Sequence, residues 1–441
     1  MALTKEMVKN KFYDIATDLS CNVTKIYGRE DMLIAADLVF HSILDFTFRG
    51  KRIEKGWTEA VIIGDTRAGK SESLKQLIRH YKVGEFITGE DLSIAGLVGG
   101  LQQIGNRWNI TWGKLVLQNR RAAVLDEVNN LDIEAISSMS GFRSSGIAEI
   151  TKIQHSRTEA RVRQLWLGNP RSNRFLNSYS HGIVALKELI GKLDDIARFD
   201  LGVACAIEEV SPEIYNSESP PSFPHKYTSQ VCHDLIMWAW SRKPSNVKWM
   251  DDADLAVLQY AQGLSNTYTS QVPLVNSSEM RIKLARLSVA AAARLFSTDD
   301  TYENVLVYPA HVEFVDDFLR QCYNKSSMGY DEFTKIKRAE LQLNNAEEIK
   351  EKILQNGSSL LEGLLEYEYL SQQDIMDFTG WDRDESKNFM SFLVMNKCIK
   401  KFSNNSYIKT PAFNILMRNI KKNKPLNTVE VSDINEEEEL F

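Results

Sequence analysis

The stretch 61–73, "VIIGDTRAGKSES", sets Gly64 ahead of Gly69, Lys70 and Ser71 with four residues between. An apolar run before that spacing and a helical pattern after it make a phosphate cradle. Gly64, Asp65, Thr66, Arg67, Ala68 and Gly69 form the nucleotide-binding loop, in which the backbone N–H groups around Ala68 and Gly69 wrap the phosphates and the helix N-terminus adds to their pull. Lys70 reaches the β- and γ-phosphates, and the Ser71 hydroxyl holds a magnesium ion. The expected ligands are therefore ATP and Mg²⁺.

A second apolar run, "RAAVLDEV", ends in Asp126 and Glu127. One carboxylate there can hold Mg²⁺ with Ser71, and the next can polarise an attacking water. Asn169 closes a third run, "VRQLWLGNP", where it either orients that water or serves as a turn residue before Pro170. Arg198 in "DIARFDLGV" has two readings as well. It is an arginine finger completing a neighbour's site, or half of a structural pair with Asp195 or Asp200. Arg281 and Arg286, on the helical stretch "MRIKLARLSVAAAARLF", are candidates for an arginine that contacts nucleotide from a lid.

These residues need elements to carry them. Three strand-like runs separated by helical patterns predict an α/β core with a mostly parallel, helix-covered sheet. The expected division is a lead-in over 1–24, an ATPase core over 25–210, and a Pro- and Ser-rich linker over 211–229. An all-α lid follows over 230–325, then a polar linker over 326–357. Residues 358–420 read as two short helices and a hairpin, the order of a winged helix. The last stretch, 421–441, is an acidic tail expected to be disordered.

Bulk composition narrows the class. Net charge is 53 − 59 = −6, so no global basicity points to nucleic acid. The five cysteines form no CxxC pair and the histidines no HExxH, which argues against a metal cluster. No apolar run reaches membrane-span length and the N-terminus lacks an apolar signal segment, so a cytoplasmic protein with no membrane partner is expected. Locally the balance differs. Five arginines fall between 157 and 174, and residues 381–424 carry ten Lys or Arg against three Asp or Glu. Clustered positive charge of this kind suits phosphate neutralisation, with a protein-contact surface as the other reading.

Taken together, the motifs resemble the AAA+ ATPases, and among them the minichromosome-maintenance (MCM) helicases. "IYGREDMLIAADL" is similar to the first helix motif of that family, and "GEDLSIAGLVGG" with "WNITWGKLVLQNRRAAVLDEV" to its run into the second carboxylate strand. "ARVRQLWLGNP" and "ARFDL" resemble its sensor-1 and arginine-finger motifs. The resemblance implies an AAA+ P-loop NTPase core over which Lys70, Ser71, Asp126, Glu127 and Asn169 form the cis half of an ATP site. It implies Arg198 acting in trans and Arg281 as the lid sensor. It also implies channel hairpins near 98–112 and 146–158, with Lys152 contacting DNA. The implied protein is a ring, a hexamer, that hydrolyses ATP at subunit interfaces to translocate on single-stranded DNA in replication, with replication proteins as partners. The alternatives are an AAA+ remodeller or helicase loader acting on protein, and an ATP-switched DNA-binding initiator or regulator. Two departures stand out. The family's N-terminal DNA-binding tier is expected to be absent, which suggests a divergent relative carried by a bacterial mobile element or phage. And Thr66 and Arg67 stand where the family has Pro and Gly.

Overall fold

Short apolar runs buried on both faces can only become interior strands, and that logic builds the centre of the molecule. In the computed structural model, residues 3–89, 93–104, 107–151, 155–171, 174–215, 221–403 and 405–423 are described. They fall into two units, Met1–Thr334 and Lys335–Phe441. The first unit holds a five-stranded sheet made of β1 (Glu59–Gly64), β2 (Glu85–Ile87), β3 (Ala122–Leu125), β4 (Arg163–Gly168) and β5 (Leu201–Cys205). The spatial order is β5-β1-β4-β3-β2, and every pairing is parallel. All C-terminal strand ends therefore open on one edge, where Gly64, Asp126 and Asn169 emerge side by side.

Only β1, β3 and β4 are anticipated by the sequence reading. β2 has three residues, two of them half-buried, so it carries no periodic pattern. The lead-in expected before residue 25 contains the helix Lys5–Asp18. It buries Val8, Phe12, Ile15 and Ala16, and Phe12 stacks on Phe314 with ring centroids 4.3 Å apart. The helix Glu30–Phe40 is buried almost all round, as its continuous apolar composition requires.

The stretch expected to form the lid contains the helices Ser229–Trp240, Ala253–Tyr268, Met280–Arg294 and Pro309–Asn324. It is not all-α, because Val247–Trp249 pairs in parallel with Val305–Val307. Its Arg294 reaches Asp37 at 2.7 Å inside the molecule, and Asp37 also accepts from Tyr81 at 2.6 Å. This ties the lid to the helix that follows the phosphate loop.

Two antiparallel hairpins leave the sheet where the sequence reading places insertions. One pairs Gly99–Ile104 with Arg107–Trp112, the other Ile147–Thr151 with His155–Glu159. At the base of the second, Gly146 sits at φ +69, and a Cβ there would lie 2.5 Å from Arg161 and 2.7 Å from Trp57. Only glycine fits.

The second unit has its own core, including Leu364, Ile375, Leu393 and Phe413. Helices Gln372–Thr379 and Arg383–Met395 start at Ser371 and Asp382, whose side chains cap the next backbone N–H groups. A hairpin of Ile399–Lys401 and Tyr407–Lys409 follows, with Tyr369–Leu370 added as a third strand and Pro411–Asn423 as a closing helix. The linker expected over 326–357 is corrected too. Ala346–Gln355 is a helix whose Ile349 and Ile353 are buried in this core. Beyond 423 the expected acidic tail lies outside the described residues. Among the described residues, no helix is long and apolar enough to cross a membrane.

The first residue of β1 is a fully buried carboxylate, Glu59, which only pairing can tolerate. It binds Arg143 at 2.7 Å and Lys55 at 2.9 Å, while its N–H donates to Asp200 at 2.9 Å. The Arg143 guanidinium also lies over Trp166 and Phe199, at 4.5 Å and 4.4 Å. Burial pushes the Glu59 carboxyl up, but Lys55 and Arg143 outweigh it and hold it below its ordinary value. Its contribution is therefore present above the ordinary glutamate range and lost as pH falls through the lowered folded value. Glu59→Ala strands two buried cations and is expected to cost about 3–5 kcal/mol in urea unfolding at neutral pH. A variant as stable as the parent would remove this network from the account of the fold.

Candidate functional site

Gly64 ends β1 against β5, and a Cβ there would meet the Cys205 carbonyl at 2.5 Å. The chain then turns through Arg67 at φ +68 and Gly69 at φ +85 into the helix Lys70–Tyr81. Two carbonyls of the turn are already engaged by side-chain donors. Ala68 O accepts from Arg29 Nε at 3.2 Å, and Asp65 O from Lys70 Nζ at 2.7 Å. That is how a loop comes to offer N–H groups to an anion.

The cavity beside the loop has a volume of about 410 Å³. Thr66 through Glu72 line one side, and Asp126, Glu127, Asn129, Gly168 and Asn169 the other. Lys70 Nζ donates to Asn169 Oδ1 at 2.9 Å, and Ser71 Oγ to Asp126 Oδ1 at 2.8 Å. Burial pushes the Lys70 ammonium down to about 8. A phosphate arriving there would favour the charged ammonium.

Glu127 follows Asp126 in a left-handed conformation, at φ +55, and stays exposed to the cavity. Asn130 Nδ2 donates to its Oε2 at 3.2 Å. Gly89 packs so closely that a Cβ there would lie 2.5 Å from that of Glu127. The hydroxyl of Ser71 and one carboxylate suit Mg²⁺, which takes few protein oxygens and fills its shell with water and substrate phosphate. A buried ammonium, a magnesium-type oxygen pair and an exposed carboxylate can together bind a nucleoside triphosphate and activate water.

Other expected residues stand elsewhere. The Asp65 carboxylate does not face the cavity; it accepts the backbone N–H of Leu176 at 2.7 Å and of Ile207 at 3.0 Å. Arg198 lines no part of the cavity. It donates to Ser144 Oγ at 2.8 Å and to Ser140 O at 3.2 Å, and pairs with Asp195 at 3.4 Å. Asp200 instead takes Arg286 at 2.9 Å, so Arg286 is structural. Arg281 is exposed and apart from the cavity. Lys152 lies outside the described residues.

The five arginines at 157–174 are corrected as a phosphate-binding patch. Arg163 is fully buried, and Arg171 clamps the carbonyls of Asn129, Leu131 and Leu189 at 2.7–2.9 Å. Arg161 and Arg174 pair with Glu159 and Glu188, leaving only Arg157 exposed without such a contact in this group. Sequence reasoning missed Arg29 and Asn129. Arg29 is 1 % exposed and bridges Ala68 O to Glu209, at 3.1 Å. Asn129 Oδ1 accepts the Asn169 N–H at 3.1 Å and so fixes that side chain's backbone. Only Arg29's place in the quoted "GRED" stretch could have hinted at it.

Comparison with known proteins agrees with this geometry. Residues 4–208 match the MCM P-loop domain. The chain is 25 % identical over 189 residues to DNA replication licensing factor MCM2 of Arabidopsis thaliana, covering 42 % of this chain and 19 % of that protein. It is 23 % identical over 305 residues to the Xenopus tropicalis factor of that name, covering 62 % and 34 %. The Schizosaccharomyces pombe factor is 25 % identical over 193 residues, covering 43 % and 22 %. The chain thus spans about a fifth to a third of the curated relatives it matches. The match to the MCM P-loop domain over residues 4–208 and these relatives together support an MCM-like protein.

Proposed function

We propose that this protein is an ATP-dependent DNA helicase or translocase that acts in replication as a ring, a hexamer. The observation that carries the reading is the convergence of Lys70, Ser71, Asp126 and Asn169 within hydrogen-bond distance around one cavity, with Glu127 beside them. In the proposed mechanism, the loop and Lys70 hold the triphosphate, and Ser71 and Asp126 hold Mg²⁺. When bound, that ion neutralises charge on the β- and γ-phosphates. Glu127 takes the proton of the attacking water, and Asn169 orients it. Asn169 must first give up its bond to Lys70, which a γ-phosphate would replace.

Arg198 reaches the site of a neighbouring subunit, which accords with its place outside this chain's own cavity. Its contacts to Ser140 and Ser144 are the resting state, left when a neighbour's nucleotide is present. Arg281, exposed on the lid, is the nucleotide-sensing arginine in the same sense. The hairpins at 99–112 and 147–159 line a central channel, and Lys152 touches single-stranded DNA there. The unit after residue 358 is a winged helix. The names of the relatives, DNA replication licensing factors, support DNA as the track, and a cytoplasmic setting follows from the same reading.

Three outcomes test it. Glu127→Gln is expected to keep ATP binding and lose turnover by about 10²–10⁴-fold in a steady-state ATPase assay. Unchanged turnover would remove Glu127 as the base. Lys152→Ala is expected to retain ATP hydrolysis while losing strand displacement on a forked duplex; normal unwinding would sink the hairpin assignment, and ATPase indifferent to DNA would favour a protein-remodelling role. The third concerns protons. The buried Lys70 is lowered to about 8, and phosphate charge raises it. ATP binding between roughly pH 8 and 10 is then accompanied by proton uptake, fading below pH 7 where the ammonium is already charged. Calorimetry in buffers of different ionisation enthalpy reads this directly, and Lys70→Ala abolishes it.

A further inference from the structure

The opposite edge of the sheet, at the N-terminal ends of β2 and β3, carries a second cavity of about 520 Å³. Lys82, Arg120, Arg121 and His233 line it, with Trp240 forming part of the wall. No carboxylate lines it among the described residues. Of the carboxylates nearby, Glu85 takes Gln118 at 2.6 Å, Asp234 takes Gln230 at 2.8 Å, and Glu159 pairs with Arg161 at 3.0 Å and with Arg120 at 3.8 Å. Lys82, Arg120 and Arg121 are exposed.

These cations are not needed to cap the helix that ends at Tyr81. Its last carbonyls already have partners: His80 O accepts from Ser229 Oγ at 2.5 Å, and Tyr81 O lies 2.8 Å from His233 Nδ1. His233 thus has its Nδ1 fixed on Tyr81 while the residue lines the cavity.

A further guanidinium lies behind the wall. Arg163 is fully buried, stacks over the Trp240 ring at 4.5 Å, and donates to Arg120 O at 2.7 Å. Its bonds go to carbonyl oxygens, and one guanidinium nitrogen has no partner. Burial alone pushes it down to about 9. Buried charge without a counter-ion is costly, and an anion in the adjoining cavity would offset part of that cost.

We propose that this cavity binds a phosphate group, either in a free phosphate compound or in a nucleic-acid backbone, separately from the loop at 64–71. Guanidinium and ammonium donors around a cavity with no carboxylate in its lining are what recognise a phosphate oxygen, through charge-assisted hydrogen bonds. Lys82 and Arg121 provide charge that a nucleic-acid strand would exchange for its counter-ions.

The test uses the full chain with Lys70→Ala, which weakens the nucleotide loop, with and without Lys82→Glu and Arg121→Glu. Pyrophosphate is titrated by calorimetry, and a labelled single-stranded oligonucleotide by anisotropy at several salt concentrations. At least one probe is expected to bind, and the double charge reversal to weaken it tenfold or more. If the oligonucleotide is the ligand, the slope of log affinity against log salt also falls by about 1–2. Pyrophosphate binding alone assigns a free phosphate compound, and oligonucleotide binding a backbone. Binding of neither probe, or equal binding to the reversed variant, overturns the proposal. The neutral pair Lys82→Gln and Arg121→Gln, checked by thermal unfolding, should show an intermediate loss and so separate charge from damage to the fold.

Discussion

A loop can offer its N–H groups to an anion only if its carbonyls have somewhere else to go. In this molecule that task falls to Arg29. Its guanidinium, 1 % exposed, takes Ala68 O at 3.2 Å and also reaches Ala206 O at 2.6 Å and Glu209 at 3.1 Å. Glu209 in turn meets Lys325 at 3.0 Å, just past the last lid helix, and Lys325 meets Asp31 at 2.6 Å on the helix that follows Arg29. The phosphate loop, the turn after β5, the first buried helix and the end of the lid are therefore one charged cluster. Such a cluster is weak as a source of stability, because desolvation cancels most of the attraction. Its effect is positional: the lid cannot shift at Lys325 without disturbing the partner of the residue that holds Ala68.

The parallel sheet makes that arrangement useful. Because β1, β3 and β4 run the same way and lie next to one another, three loops deliver their residues to one edge. β4 between β1 and β3 places Asn169 between the loop and the two carboxylates. Asn129 and Arg171 then hold the connection after β3 against the end of β4, through the Asn169 N–H and three carbonyls. None of these contacts touches a ligand, yet each restricts where Asp126, Glu127 and Asn169 can point. Preorganisation of this kind is what lets a few polar groups act on a phosphate.

What could be read from the sequence follows from how local each requirement is. The loop was legible because Gly64, Gly69, Lys70 and Ser71 answer to chemistry within eight residues. β1, β3 and β4 were legible because a strand buried on both faces must be apolar throughout. Arg29 was not, since its partners lie 39 and 180 residues away. Asp65 misled for the same reason: it sits inside the loop, but its carboxylate serves Leu176 and Ile207. The arginines at 157–174 looked like a charged surface, and alternation along β4 did not reveal that Arg163 faces inward. The 5–18 helix was hidden by its mixed composition, because only Phe12 against Phe314 and a few neighbours anchor it. The pairing of Val247–Trp249 with Val305–Val307 joins stretches too short to carry any period.

Two non-glycine residues at the site, Arg67 and Glu127, hold left-handed backbone conformations that cost about 1–2 kcal/mol each relative to the ordinary regions. A structure keeps such conformations only where its surroundings determine them. At Arg67 the surroundings are Ala68, fixed by Arg29, and Gly69, itself at φ +85. At Glu127 they are Asp126, whose carboxylate accepts the Glu127 N–H at 3.0 Å, and Asn130, which holds its side chain. The departure from glycine at position 67 thus changes the energy of the loop but not its path, because the path is set by neighbours. The side chain it adds is exposed at the mouth of the cavity, with the backbone beneath it already committed. Arg67 is therefore a positive charge placed at the edge of a phosphate site by a backbone that would take the same course without it.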